Sequence, residues 1–93
     1  IYTSASSGTP KAVLIEHYMI LNRFSWMWSK YFFKKEEVCC QKTSLSFVDA
    51  VWEIFGPILQ GIKLVLIPTL TINDPRKFIN TIHKESISRL VVV

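Results

Sequence analysis

Short apolar runs recur along this chain, and more polar stretches of helix length separate them. Ala12-Val13-Leu14-Ile15 and Leu64-Val65-Leu66-Ile67 are continuous apolar runs of strand length. Residues 38–43 and 90–93 have the same character, and residues 1–3 look like the end of a further strand. From about His17 to Lys30 the side chains suit a helix, with Trp26, Met27 and Trp28 leaving it apolar on almost every face. A second helix is predicted from a cap at Ser46 to about Gln60, with Gly61 as its stop signal. Pro57 inside that stretch predicts a kink or a division into two short helices. Asn73-Asp74-Pro75 predicts a third helix, capped by Asp74, opened by Pro75 and running to about Lys84.

Strands that are uniformly apolar and alternate with helices predict an α/β fold, built on a mainly parallel sheet with helices on both faces. Ligands of such sheets bind beyond the carboxyl ends of the strands. The loop that follows residues 1–3 leaves a strand end in that way. Neither an internal repeat nor a low-complexity linker interrupts the order.

Composition changes the picture in one respect. Hydrophobic residues make up 49% of the 93, including three Trp, six Phe and three Tyr. A chain of this length buries only roughly two-thirds of its unfolded surface, so several apolar faces would lack a partner. Residues 1–93 are therefore expected to be a fragment of a larger domain, incomplete at both ends.

Charge adds little. The net charge is +4 with the basic residues scattered, unlike the one-sided clusters of nucleic-acid modules, so no nucleic-acid partner is expected. No apolar run reaches the roughly 18 residues of a membrane span, and no targeting segment is visible. Cys39 and Cys40 are neighbours on a predicted strand, where side chains point to opposite faces. They are expected to be reduced core residues of a cytoplasmic protein. No spacing of Cys, His or Asp suggests a metal site.

The candidate chemistry lies at residues 2–11, YTSASSGTPK. A polyphosphate needs donors that wrap its oxygens, a backbone that approaches closely and a positive charge. Thr3, Ser4, Ser6 and Ser7 offer hydroxyls, Gly8 allows close approach and Lys11 supplies the charge. The loop is not of the G-x-x-x-x-G-K-[ST] kind, because no glycine lies five residues before Gly8 and Ala12 follows Lys11. By composition alone, an ordinary surface turn remains the alternative.

The order of the residues is more specific. Tyr2-Thr3-Ser4-x-Ser6-Ser7-Gly8-x-Pro10-Lys11 resembles the signature loop of the adenylate-forming (AMP-binding) superfamily, which includes acyl-CoA synthetases, luciferases and the adenylation domains of non-ribosomal peptide synthetases. That loop usually runs Tyr-Thr-Ser-Gly-Ser/Thr-Thr-Gly-x-Pro-Lys-Gly, followed by a small apolar run and a His. Here Val13-Leu14-Ile15-Glu16-His17 stands in that place. Further on, Phe47-Val48-Asp49-Ala50-Val51-Trp52-Glu53-Ile54-Phe55 resembles the substrate-pocket motif of amino-acid adenylation domains. Leu21-Asn22-Arg23-Phe24-x-Trp26-x-Trp28 is similar to the amino-acid-activating branch and its relatives that load β-alanine. The resemblance covers essentially the whole chain and places it in the large N-terminal part of such an enzyme.

What the resemblance implies is a ligase reaction. A carboxylate joins ATP to give an acyl-adenylate and pyrophosphate, with Mg²⁺ shielding the phosphates. The acyl group then passes to a thiol, often the phosphopantetheine arm of a carrier domain. By position, Thr3, Ser4, Ser6, Ser7, Gly8 and Lys11 would hold the β- and γ-phosphates and the departing pyrophosphate. Phe47 would stand at the mouth of the acyl pocket and Trp52 would help to wall it. The implied partners are a small carboxylate or amino acid, the remainder of the adenylation domain and a carrier domain. The family's adenine loop, ribose-binding Asp and C-terminal catalytic Lys have no counterpart here, so the 93 residues alone are expected to be inactive.

Two departures from the pattern bear on function. Ala5 and Ala12 replace glycines of the usual loop; a positive φ at position 5 would cost alanine about 1 kcal/mol or more. Many α-amino-acid members carry an Asp directly after the pocket aromatic, where Val48 stands, and the acid comes one residue later at Asp49. One helical position turns a side chain by about 100°, which suits an amine further from the carboxylate, as in a β-amino acid. The alternative is that Asp49 only favours the helix start. A decayed, non-enzymatic remnant and an unrelated phosphate-loop domain are the competing readings. His17 and His83 are expected to be structural, and Trp26, Met27 and Trp28 to be core.

Overall fold

The computed structural model describes residues 1–4 and 6–92. In chain order it contains β1 (Tyr2–Thr3), β2 (Lys11–Ala12), α1 (His17–Lys30), β3 (Val38–Gln41), α2 (Asp49–Ile58), β4 (Lys63–Leu66), α3 (Thr69–Ile72) and α4 (Pro75–Lys84). The expected α/β architecture is present. β3 and β4 pair in parallel, with Cys39 opposite Leu64 and Cys40 opposite Val65. On the other edge of β3, Arg89 forms a single parallel bridge to Cys39, supported by Ser88 N–H to Val38 O at 2.9 Å. The strand expected over residues 90–93 is reduced to that bridge among the described residues, and Val93 lies outside them. β1 and β2 make a separate antiparallel pair rather than joining the parallel sheet.

α2 organises the rest. It lies against both β3 and β4, and α1 packs on it in turn. Ala50, Trp52, Glu53, Gly56 and Pro57 are its buried residues, spaced three and four apart along one face. Around them close Phe24, Cys39, Cys40, Ile62 and Ile67. Phe24 is the only buried residue of α1. Trp26, expected in the core, is half exposed and meets the Tyr31 ring edge-on at 6.0 Å with Lys30 Nζ above it.

The start of α2 departs from the expectation, and its end follows it. Ser46 does not cap it: the helix starts at Asp49, its N-cap is Val48 without a side-chain bond, and Ser46 Oγ pairs with Ser44 Oγ at 2.9 Å. Turns of the i to i+3 type precede the helix, with Phe47 N–H donating to Ser44 O and Ala50 N–H to Phe47 O. These turns satisfy backbone groups that a cap would otherwise serve. Pro57 causes no division, because it is the penultimate residue and the helix needs only one more position beyond it. Gly61 is the stop, as expected. With φ at +71° it lets Ile62 N–H reach Pro57 O and Gly61 N–H reach Ile58 O, both at 3.0 Å, the paired bonds that terminate helices at a left-handed residue.

α4 follows its sequence signals closely. Asp74 accepts from Arg76 N–H at 3.1 Å and Lys77 N–H at 3.3 Å, with Pro75 opening the helix. Its C-terminal turn places Ser86 at φ +54°, and Ile87 N–H reaches Ile82 O at 3.0 Å. α3 has no strong sequence signal; it is one turn nucleated by Pro68 O, which accepts from Thr71 and Ile72 N–H. No helix among the described residues is long and apolar enough to cross a membrane.

Cys39 and Cys40 are both free and buried. Burial pushes the Cys39 thiol up from an ordinary 9.0 to about 11, with the Arg89 charge opposing, and burial also raises Cys40. Both therefore stay protonated and unreactive near neutrality. Unfolded thiols ionise first as pH rises, so this contribution to stability is complete below pH 9 and disappears by about 11. Denaturant titrations between these limits should show a shallower loss of stability in Cys39→Ala than in the wild-type chain; equal slopes would contradict the assignment.

Candidate functional site

The hydroxyl loop is the tip of the β1–β2 hairpin. Thr3 pairs with Lys11 and Tyr2 with Ala12 across the two strands, and Val13 N–H donates to Ile1 O at 2.8 Å below them. Residues directly opposite on an antiparallel pair project to the same face. Thr3 and Lys11 thus bring a hydroxyl and an ammonium to one side of the hairpin, and Thr3 Oγ1 also lies 3.5 Å from Lys11 O. Ser4, Ser6, Ser7 and Gly8 are exposed on the connecting loop. Gly8 has φ +80° with nothing within 4 Å of where a Cβ would stand, so its backbone angle rather than space selects glycine there. Ala12 sits in an extended strand; the only non-glycine at positive φ among the described residues is Ser86. Ala5 lies outside the described residues. The loop caps an antiparallel hairpin, correcting the expectation that it leaves a strand of the parallel sheet.

The second constellation sits at the start of α2. Asp49 borders two cavities. One, of about 190 Å³, runs between α1 and α2, where Met19, Arg23 and Phe24 face Asp49, Val51 and Trp52. The other, of about 260 Å³, is lined by Lys42, Thr43, Ser44, Phe47 and Asp49. Phe47 and Trp52, expected to share one pocket, face different cavities because they stand five residues apart across the helix start. Phe47 is exposed, whereas Trp52 is buried with 9% of its surface accessible.

Trp52 belongs to an aromatic cluster as well as to a cavity wall. Phe24 meets it edge-on at 5.3 Å, Phe33 stacks on it at 6.1 Å and Trp28 lies at 6.5 Å. Trp28 Nε1 donates to Gly56 O at 2.9 Å. That carbonyl is free because Gln60 N–H turns to Pro57 O instead.

The hairpin base adjoins the first of these cavities. Ile1, Val13 and Leu14 from the hairpin base share a further cavity of about 230 Å³ with Val48 and Val51 of the helix start. The chain leaving β2 therefore runs directly past the residues that wall the first cavity, and Ile15 lines both.

Two features of this region lay beyond sequence reasoning. Glu53 is buried to 2% exposure, and its carboxylate accepts from Lys42 N–H at 3.1 Å, Thr43 N–H at 2.8 Å and Thr43 Oγ1 at 2.9 Å. An acid on the buried face of an apolar helix was the available signal. Arg89 binds Glu37 at 3.0 Å, donates to Tyr31 O and Phe32 O, and lies over the Phe33 ring at 4.4 Å. It ties the segment after α1 to the sheet.

Comparison with known proteins settles the family. The model of the AMP-binding enzyme family matches residues 1–93. The chain belongs to that family. It is similar to the β-alanyl-bioamine nonribosomal peptide synthetase ebony of Drosophila melanogaster, 37% identical over 94 residues covering the whole chain and 11% of that protein. Vanchrobactin synthetase VabF of Vibrio anguillarum is 47% identical over 75 residues, which cover 81% of the chain and 3% of VabF. Enterobactin synthase component F of Escherichia coli (strain K12) is 43% identical over 75 residues, 81% of the chain and 6% of that relative. The chain thus spans about a tenth or less of the length of these relatives.

Within this family member, Gly56 carries a testable burden. A Cβ there would stand 2.8–2.9 Å from three atoms of the Trp52 ring. Gly56→Ala must displace the ring from Phe24 and Phe33, a strain of about 1–3 kcal/mol that outweighs alanine's helix preference of about 1 kcal/mol. Chemical denaturation should show a net loss near 1 kcal/mol with altered tryptophan fluorescence. An unchanged or more stable variant would contradict the packing described.

Proposed function

We propose that this chain carries the phosphate loop and one wall of the acyl pocket of an adenylate-forming ligase, which activates an amine-bearing carboxylic acid for transfer to a pantetheine thiol. The observation that carries the reading is the adjacency of the two constellations. At the base of the hairpin that presents Thr3 and Lys11 on one face, Ile1, Val13 and Leu14 line one cavity with Val48 and Val51, which flank Asp49 at the helix start. A substrate carboxylate in the pocket and a triphosphate on the loop would then meet within one small region.

In this reading the chain's residues bind and orient. The hydroxyls of Thr3, Ser4, Ser6 and Ser7 donate to phosphate oxygens, and Gly8 lets the backbone approach them. Lys11 places a point charge where negative charge accumulates as pyrophosphate departs. A carboxylate oxygen of the substrate bonds to the α-phosphorus while the α–β phosphoanhydride bond breaks, giving acyl-adenylate and pyrophosphate. Mg²⁺, bound through the phosphates, would shield their charge, and the loop hydroxyls are hard oxygen donors of the type it accepts.

Asp49 is the proposed partner of the substrate amine. It is half-buried between the two cavities, and no side-chain bond caps α2 at Val48. Its displacement from the usual position by one residue favours a β-amino acid over an α-amino acid. The name of the Drosophila relative, a β-alanyl-bioamine synthetase, supports that choice. The acyl group would pass to a phosphopantetheine arm on a carrier domain, with the rest of the adenylation domain completing the site. Two free, buried thiols suit a reducing compartment such as the cytoplasm.

Amino-acid-dependent ATP–pyrophosphate exchange by the full-length protein tests this. Exchange is expected with an amine-bearing acid, best with β-alanine, and Asp49→Ala should raise the KM of that acid tenfold or more while sparing the KM for ATP. An unchanged acid KM would return Asp49 to a helix-dipole role. Ala5→Gly should raise the exchange rate. Absence of exchange that Ala5→Gly restores would identify a decayed enzyme; absence in both forms would overturn the ligase reading.

A further inference from the structure

Glu53 has no part in the proposed chemistry, yet it is the one buried charged residue among the described positions. A carboxylate is costly to bury unless its oxygens are satisfied by donors. Here the donors all come from the segment between β3 and α2. Oε2 accepts from the main-chain N–H of Lys42 at 3.1 Å and of Thr43 at 2.8 Å, and Oε1 accepts from the Thr43 hydroxyl at 2.9 Å. That same segment supplies Lys42, Thr43, Ser44 and Phe47 to the 260 Å³ cavity, with Asp49 closing it.

Glu53 stands one turn along α2 from Asp49, four positions further on. A single helix therefore carries the residue that closes the cavity and the residue that holds its opposite wall in place. Hydrogen bonds to an ionised carboxylate are roughly twice as strong as neutral ones, and three of them converge on two successive residues. The hydrogen bonds of the segment beyond them are local: Phe47 N–H donates to Ser44 O, Ser46 N–H to Ser44 Oγ, and the Ser44 and Ser46 hydroxyls pair.

We propose that Glu53 is a positioning residue for the acyl pocket: from the buried side of α2 it fixes Lys42 and Thr43, and so sets the distance between that wall of the cavity and Asp49, across which the amine-bearing end of the substrate lies. The positioning of substrate rests on the ligase reading above; the anchoring of the segment does not. Glutamine can replace the contact. Its carbonyl oxygen accepts from the two amides, and its NH₂ donates to the Thr43 hydroxyl, which then acts as acceptor. Aspartate keeps the charge but withdraws it by one methylene, and alanine removes the acceptor from two part-buried amides.

Two measurements on the full-length protein decide the matter. Amide hydrogen exchange should show the Lys42 and Thr43 N–H groups protected in the wild type and Glu53→Gln, and at least tenfold less protected in Glu53→Asp and Glu53→Ala, with α4 unchanged. In pyrophosphate exchange, Glu53→Asp should raise the KM of the acid fivefold or more with the KM for ATP within twofold, and Glu53→Gln should stay within threefold on both. Unchanged protection in Glu53→Asp would overturn the anchor. A parallel rise in both KM values, or loss of kcat alone, would overturn the positioning role, because general loosening moves the two substrates together. If Glu53→Ala does not fold, Glu53→Asp and Glu53→Gln carry both comparisons. A wild-type protein without exchange would instead fail the ligase reading, and the amide protection would still decide the anchor.

Discussion

A carboxylate enclosed by two amides and a hydroxyl is the constraint on which the described structure turns. Glu53 faces inward from α2 with 2% of its surface accessible, among Ala50, Trp52, Gly56 and Pro57. Desolvating it is unfavourable, and only the exit of β3 offers donors. Satisfying it fixes the rotation of α2 over the sheet. With that rotation set, Trp52 faces Phe24, Phe33 and Trp28, and Asp49 is presented between the two cavities. The polar bond selects one arrangement and the aromatic packing consolidates it.

The hairpin depends on this frame in a different way. It is two residues per strand, and every one of its strand residues is exposed. A pair so short has little independent stability. The apolar run that leaves β2 borders the start of α2, where Val13, Leu14 and Ile15 share a cavity with Val48 and Val51. Leu14 remains 94% exposed even so. Exposed apolar residues on α1, among them Tyr18, Met19 and Leu21, extend the same kind of surface. That is the pattern of a segment whose apolar faces exceed what its own residues cover.

Much of this was legible in the sequence where a local signal stood alone. Asp74 before Pro75 gave the start of α4, and Gly61 gave the end of α2, because a cap and a left-handed turn each depend on a few adjacent atoms. The order of hydroxyls, Gly8 and Lys11 pointed to the family that the comparison with residues 1–93 established. What escaped was set by distant contacts. Ser46 lost its capping role to turns already made by Ser44 and Phe47. The uniformly apolar run at 12–15 suggested a buried parallel strand, whereas only Ala12 of it belongs to a strand, whose neighbour is antiparallel, and Val13 adds one bond to Ile1 O beyond it. Glu53 was invisible as an anchor, since nothing in its own neighbourhood names Lys42 and Thr43 as donors eleven and ten residues away.

The proposed function joins two sites, a loop that would hold phosphates and a pocket whose acid stands one residue later than in many α-amino-acid members. Calorimetric titration of the full-length protein with a non-hydrolysable β-alanyl-adenylate mimic, beside its α-alanyl counterpart, tests that junction most directly. The β-alanyl mimic should bind at least tenfold more tightly, and Asp49→Asn should remove the difference. Equal affinities for the two mimics, or a preference that survives Asp49→Asn, would contradict the proposed function.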